Sequence, residues 1–417
     1  MTRRLSTVIA GVAAALTLAG CGASTSSSAA GGAAPASGTA DSSGAISIGM
    51  IGTFSGPLAS GTLKMPEVMQ AWASWTNAHG GIAGHQVKLY IEDDGGNATA
   101  AITDVRGLIQ SDHVVALVAN LSYADSSWAA YAEQQGVPVI GGQSEDAPFV
   151  TNPDFFSSST GAAGESYGLM AIAKTYGSKV ATVYCAEAPV CKGAAAADAE
   201  LATGLGVHVA YAGIIAASAP DYTATCQAIK DSGAQSVVMG LASATVVKFV
   251  QDCLEQGVKA EPIIGGITGT STTLASPAMK NFLDVDDVFP YFDSSTSATR
   301  AFQSAVKQYA PGLGSQMGSF AAHVWAAGEL FAAAVQQSGA SQVTAESVKA
   351  GLYALPKGTT LGGLTPPLSF TKSAATPDQV NCYFVWGNKD GKAYEPQGLK
   401  TSCAPASVVA EYNAKNY

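Results

Sequence analysis

Charge is what this 417-residue chain has least of. Only 12% of its residues are Asp, Glu, Lys or Arg, about half the share of an ordinary globular chain. Acidic residues outnumber basic ones, 31 to 21, for a formal net charge of −10. With no basic stripe to neutralise phosphates, a nucleic-acid partner is excluded. No CxxC pair occurs and the five His are scattered, so no metal site is expected. The acidic turn Asp93-Asp94-Gly95-Gly96-Asn97 lacks EF-hand spacing, and Asn97 reads instead as a helix N-cap. A phosphate loop and a complete GxGxxG fingerprint are also missing, so no nucleotide or other cofactor is expected.

Hydrophobic residues make up 47% of the chain, enough for two sizeable cores. The amino end reads as an export signal over residues 1–20: Arg3 and Arg4, then an apolar run from Val8 to Ala19. That run is too short to span a bilayer, which takes about 20 residues. Leu18-Ala19-Gly20-Cys21 resembles a bacterial lipobox, which makes Cys21 the expected lipidated first residue of an exported, membrane-anchored lipoprotein. Residues 21–44 form a Gly/Ser-rich tether with a typical end-to-end distance of about 25 Å. Six Cys remain, an even number in an exported chain. They allow fifteen pairings, of which local spacing favours Cys185–Cys191, Cys226–Cys253 and Cys382–Cys403.

Beyond the tether, strand and helix signals alternate. Ile46 to Gly52 reads as a strand, followed by a helix of about 17 residues with Met65, Val68, Met69, Trp72 and Trp75 at core spacing. Gln86 to Glu92, Val114 to Ala119 and Val137 to Ile140 continue the series, and a second run begins at Lys179 and ends with the strand EPIIGG. Such alternation implies parallel sheets with helices on both faces, here two doubly wound sheets in tandem. Near the end, Cys382 to Trp386 and Lys392 to Tyr394 flank a turn over residues 387–391 and suggest antiparallel edge strands. The third and fourth strands run into polar clusters, Asn120-Leu121-Ser122-Tyr123 and Gln143-Ser144-Glu145-Asp146. In open α/β sheets ligands bind beyond the carboxyl ends of strands, although Ser122, Asp125 and Ser126 could equally cap a helix.

The segment Ile48-Gly49-Met50-Ile51-Gly52-Thr53-Phe54-Ser55-Gly56-Pro57, the turn Asn77 to Gly84 and the pair Asp93-Asp94 carry a resemblance to one family. The chain resembles type I periplasmic solute-binding proteins of the leucine/isoleucine/valine-binding kind. Gly136 to Ile140, Asp221-Tyr222-Thr223 and Gly257-Val258-Lys259 agree with it, so that the likeness runs from about Ala45 to Gly391. The resemblance implies two lobes joined by crossing hinge segments, residues 45–160 with 294–371 and residues 161–293 with 372–417. It also implies a small ligand in the cleft between them and delivery to an ABC permease in the membrane. It places ligand contacts at Ser55, Ser122, Tyr123, Ser144, Glu145, Asp146, Ala242, Thr268 and Phe320. This chain departs from the family pattern where a second-lobe Tyr is replaced by Ala242 and an acidic residue by Gly265-Gly266-Ile267-Thr268. Asp146, where the family has Thr, could restore the lost negative charge or cap a helical turn.

The expected function is therefore a non-enzymatic solute receptor of an importer, binding an amino acid or a related small carboxylate or amide. A ligand-sensing receptor of the same fold is the nearest alternative. A serine hydrolase is disfavoured, because no G-x-S-x-G elbow surrounds Ser122 and His113 precedes a strand.

Overall fold

The computed structural model describes residues 44–56 and 58–417. The export segment, Cys21 and all of the tether but Gly44 lie outside the described residues. The first sheet grows from β1 (Ile46–Gly52), α1 (Met65–Ala78), β2 (Val87–Asp93), α2 (Ala98–Gln110), β3 (Leu117–Asn120), α3 (Ala129–Gln134), β4 (Val139–Gly142), α4 (Pro148–Thr151) and β5 (Phe155–Phe156). Its strands are all parallel, in the order β2-β1-β3-β4-β5. Alternate side chains go to opposite faces. Ile48, Met50, Val118 and Ile140 join one apolar cluster with Trp72, and Ile51, Leu117 and Val139 join another with Val105, Leu108 and Trp128. Asn97 caps α2, accepting from the Thr99 and Ala100 amides at 2.9 and 3.0 Å. Helix α1 is 14 residues long rather than about 17. Residues 58–64 wind as turns, and Gly61 lies under the Phe320 ring, where a Cβ would stand 2.6 Å from it.

The second sheet follows: α5 (Ala162–Tyr176), β6 (Lys179–Cys185), α6 (Pro189–Leu205), β7 (His208–Ile215), α7 (Thr223–Ser232), β8 (Ser236–Gly240), α8 (Ser243–Glu255), β9 (Glu261–Gly265), α9 (Ser271–Ala275) and β10 (Asn281–Asp286). Three helices come next, α10 (Ser297–Tyr309), α11 (Ser319–Ser338) and α12 (Ala345–Ala354). Of these, α10 and α11 pack back on α1, and α11 also covers β3 and β4. The chain then adds β11 (Cys382–Lys389), β12 (Lys392–Tyr394), β13 (Ser402–Cys403) and α13 (Ala406–Asn416). The sheet order is β12-β11-β10-β9-β8-β6-β7, with β13 beside β11. Both sheets reverse their winding, between β1 and β3 and between β6 and β8, which is where α/β sheets open a crevice at their carboxyl ends.

Two elements differ from the sequence reading for identifiable reasons. β10, Asn-Phe-Leu-Asp-Val-Asp, escapes it because Asp284 and Asp286 occupy fully buried positions of the strand. β11 is not an edge strand. It lies between β10 and β12 and runs on through Lys389, so its turn is two residues, Asp390 and Gly391, at φ 54° and 80°. Positive φ at both positions is what a tight hairpin of matching twist requires.

Three segments link the sheets and bond to one another. The Thr160 amide donates to the Asp287 carbonyl at 3.1 Å and its hydroxyl to the Cys382 carbonyl at 2.6 Å. The Gly161 amide donates to the Val380 carbonyl at 3.0 Å. Disulfides join Cys185 to Cys191, Cys226 to Cys253 and Cys382 to Cys403. No helix among the described residues is long and apolar enough to cross a membrane.

Candidate functional site

The polar residues gather at the carboxyl ends of both sheets. On the first, Asp94 follows β2 and accepts from the Thr53 hydroxyl and the Gly96 amide, each at 2.7 Å, and from the Ser122 hydroxyl. Ser122 in turn accepts from the Ala124 amide at 3.2 Å and the Trp128 indole N–H at 3.5 Å, and it is wholly buried. Its hydroxyl is thus committed inside the loop, and no histidine is among its partners. The hydroxyl also tightens the turn before a short 3₁₀ segment, Asp125–Ser127, as an ST turn would. Ser144 is buried too, its Oγ accepting from the Ser159 hydroxyl at 2.6 Å. Ser55 stands exposed at the rim. Burial opposes the charge on Asp93, but hydrogen bonds from Ser55, Gly95 and Phe54 outweigh it and hold its pKa below the usual range.

Tyr123, Glu145 and Asp146 come together. Burial, with Asp146 next to it, pushes the Tyr123 phenol up to about 12. Asp146 itself lies well above the carboxylate range, through burial and then the adjacent Asp125 and Glu145. Its Oδ2 is buried without a partner, and no side chain caps α4. The capping role weighed for Asp146 is therefore not the one it performs. Asp125 accepts from the Asn120 amide at 3.3 Å, and burial raises its pKa to about 7.

The second sheet contributes residues that sequence reasoning missed. Asp286 accepts from the Ser319 hydroxyl at 2.7 Å and the Trp386 indole N–H at 2.8 Å. Burial raises its pKa to about 6, against the pull of His323, Ser319 and Trp386. Asp287, the next residue, is fully buried with neither oxygen partnered, and burial with Glu165 and Glu145 drives its pKa well up. His323 in α11 directs Nε2 to Asp287 Oδ2 at 3.8 Å. Glu165, in the first turn of α5, packs on Gly265 and Gly266, where a Cβ would stand 2.6 and 2.9 Å from its Oε1. Among the described residues no Lys or Arg pairs with any of these carboxylates. Two signals were present in the sequence: the run Asp284-Val-Asp-Asp287 amid apolar residues, and one His in an Ala-rich helix.

Ala242 is exposed at the N-cap of α8, and Thr268 is buried, donating to the Leu241 carbonyl at 3.1 Å. Phe320 is buried one turn before His323, with ring centroids 6.3 Å apart. A concave surface of about 570 Å³, lined by Tyr176, Lys230, Gln235 and Glu261, lies at the opposite, amino ends of β8 and β9. It is remote from the polar clusters and at the wrong end of the sheet for a ligand site.

Comparison with known proteins fits this geometry. A family described as periplasmic binding protein matches residues 45–392. A branched-chain amino acid ABC transporter protein of Thermus thermophilus, solved with bound valine, superposes with TM-score 0.76 at 15% identity, over 88% of this chain and 98% of that one. An ABC transporter substrate-binding protein of Aeropyrum pernix gives TM-score 0.75 at 15% identity, over 89% and 99%. A solute-binding protein of R. palustris in complex with benzoate gives 0.69 at 18% identity, over 87% and 98%. No curated protein matches the sequence.

Proposed function

Because the chain belongs to the periplasmic binding protein family, we propose that it is the solute receptor of an ABC importer and takes an amino acid or a small amide between the carboxyl ends of its two sheets. The observation that supports this ligand class is Asp146, whose buried Oδ2 lacks any partner. An uncompensated buried carboxylate is costly, and a solute that brings an ammonium or amide N–H compensates it. Among the solved relatives, valine carries such a nitrogen and benzoate does not. The excess of carboxylate favours the former kind here.

In this reading the nitrogen end of the solute meets Asp146, beside Glu145. Its apolar part packs on Tyr123 and Phe320, and its oxygen end faces the Ser122 and Ser144 turns. Ser55 and Ala242 form the mouth, and Thr268 supports it from within by holding the Leu241 carbonyl next to Ala242. The lobes are residues 45–160 with 294–371 and residues 161–293 with 372–417. Ligand bridging them shifts an open–closed equilibrium, and the closed form docks on the permease. Lipidation at Cys21 holds the receptor at the outer membrane surface.

Calorimetric titration of the purified chain with amino acids, amides and aromatic carboxylates tests this. A binder at 100 times its Kd also adds about 2.7 kcal/mol of apparent stability. Asp146→Asn is expected to weaken an amino acid by about 1.5–3 kcal/mol, the worth of a hydrogen bond to a charged group, and a neutral amide far less. Equal affinity of both proteins for an amino acid would refute the role of Asp146.

A further inference from the structure

Three of the side chains with buried, partnerless atoms converge on one point. Glu145, Asp287 and His323 each place one donor atom within 4.8 Å of the others. They come from three separate parts of the chain: the loop after β4, the crossing segment after β10, and the second turn of α11. We propose that they form a binding site for a divalent transition-metal ion such as Zn²⁺.

The histidine carries the argument. Its Nδ1 lies 2.9 Å from the Ser319 carbonyl, an acceptor only, so Nδ1 bears a proton, and in the neutral imidazole, the form that binds a metal, Nε2 presents its lone pair. A hydrogen bond from the remote ring nitrogen to a carbonyl is the usual support behind a metal-binding imidazole. Nε2 has no partner although His323 is 1% exposed, and it points at Asp287, which is 0% exposed and has both oxygens unpartnered. Oε2 of Glu145 is likewise buried and unpartnered. Two carboxylates facing each other without a Lys or Arg must share a proton or a cation. One imidazole beside them selects a borderline transition ion over Ca²⁺ or Mg²⁺, which prefer oxygen alone. Metal–ligand distances of about 2.0–2.2 Å set tetrahedral donor atoms roughly 3.4 Å apart, so the site needs to contract by at most about 1.4 Å. Three protein ligands leave a fourth position for a water or a solute atom. The other four histidines (His79, His85, His113 and His208) belong to none of these three segments.

The test uses the tag-free chain stripped with EDTA and titrated with ZnCl₂ by calorimetry and with CoCl₂ by visible absorption. One equivalent of Zn²⁺ is expected to bind and to raise the melting temperature, and Co²⁺ is expected to show the intense d–d bands of low coordination. His323→Asn and Glu145→Gln should each weaken Zn²⁺ by at least ~100-fold. Glu145 is a half-buried loop residue, so its variant keeps the test decisive if the core variant fails to fold. Absence of stoichiometric Zn²⁺ binding by the parent chain overturns the proposal, and so does unchanged affinity in Glu145→Gln.

Discussion

Asp198 offers a test of the electrostatic reasoning away from the cleft. It lies in α6, fully buried, with Oδ2 accepting the Tyr184 hydroxyl at 2.6 Å and Oδ1 unpartnered. Burial raises its pKa from 3.8 to about 7, against the pull of Tyr184 and Ser166. The folded chain therefore holds this proton more tightly than the unfolded chain does. Stability is lost as pH climbs from 3.8 to 7, and above 7 the loss is constant. Each pH unit in that window costs about 1.36 kcal/mol, so between pH 5 and pH 8 the penalty grows by about 2–3 kcal/mol. Asp198→Asn keeps the shape and the acceptor for Tyr184 but cannot ionise. Whatever its amide costs through an imperfect partner is independent of pH. Urea unfolding of both proteins at pH 5 and pH 8 isolates the titration, because the other buried acids are common to both. Relative to the parent, the variant should gain about 2–3 kcal/mol on going from pH 5 to pH 8. Equal differences at the two pH values would mean that Asp198 ionises as it does in water, and the burial argument would fail.

Three further expectations concern other parts of the chain. Replacing Cys226 and Cys253 with Ser opens a link of 27 residues and should cost about 2–4 kcal/mol in denaturant unfolding; non-reducing peptide maps showing a crossed pair would refute the assignment. Gly328→Ala puts a Cβ 2.5 Å from Trp72 in the tightly packed α11. Overpacking of about 1–3 kcal/mol should outweigh a helix-propensity gain of about 1, so a variant more stable than the parent in urea would contradict the packing described. Cys21→Ala should move the protein from the membrane fraction to the soluble fraction, and continued detergent dependence would exclude a lipid anchor.

The alternation of Val-rich runs and amphipathic helices made both sheets legible, because parallel strands buried on both faces carry a signal that composition alone preserves. Strand β10 was hidden for the opposite reason: Asp284 and Asp286 sit where an apolar residue is expected. Helices α5, α12 and α13 were not singled out either. Asp146 could be picked out as a candidate because it follows a strand end within one loop. Asp287 and His323 could not, since 36 residues separate them in sequence, and a lone His in an Ala-rich helix reads as core. The commitment of Ser122 to Asp94 depends on two strand ends meeting in space, a fact outside any local pattern.

If the two lobes open and close as proposed, the bonds among the three crossing segments set how they bend. Thr160 holds the first crossing to the second through its amide and to the third through its hydroxyl. Separate strands would act as a ball joint, free to twist as well as flex. Tied side by side, they form a strip that is stiff in torsion and compliant along one axis only, like a door on its pins. A Thr160→Val change keeps the amide tie but severs the link to Cys382, so it should admit twist before it alters the range of opening.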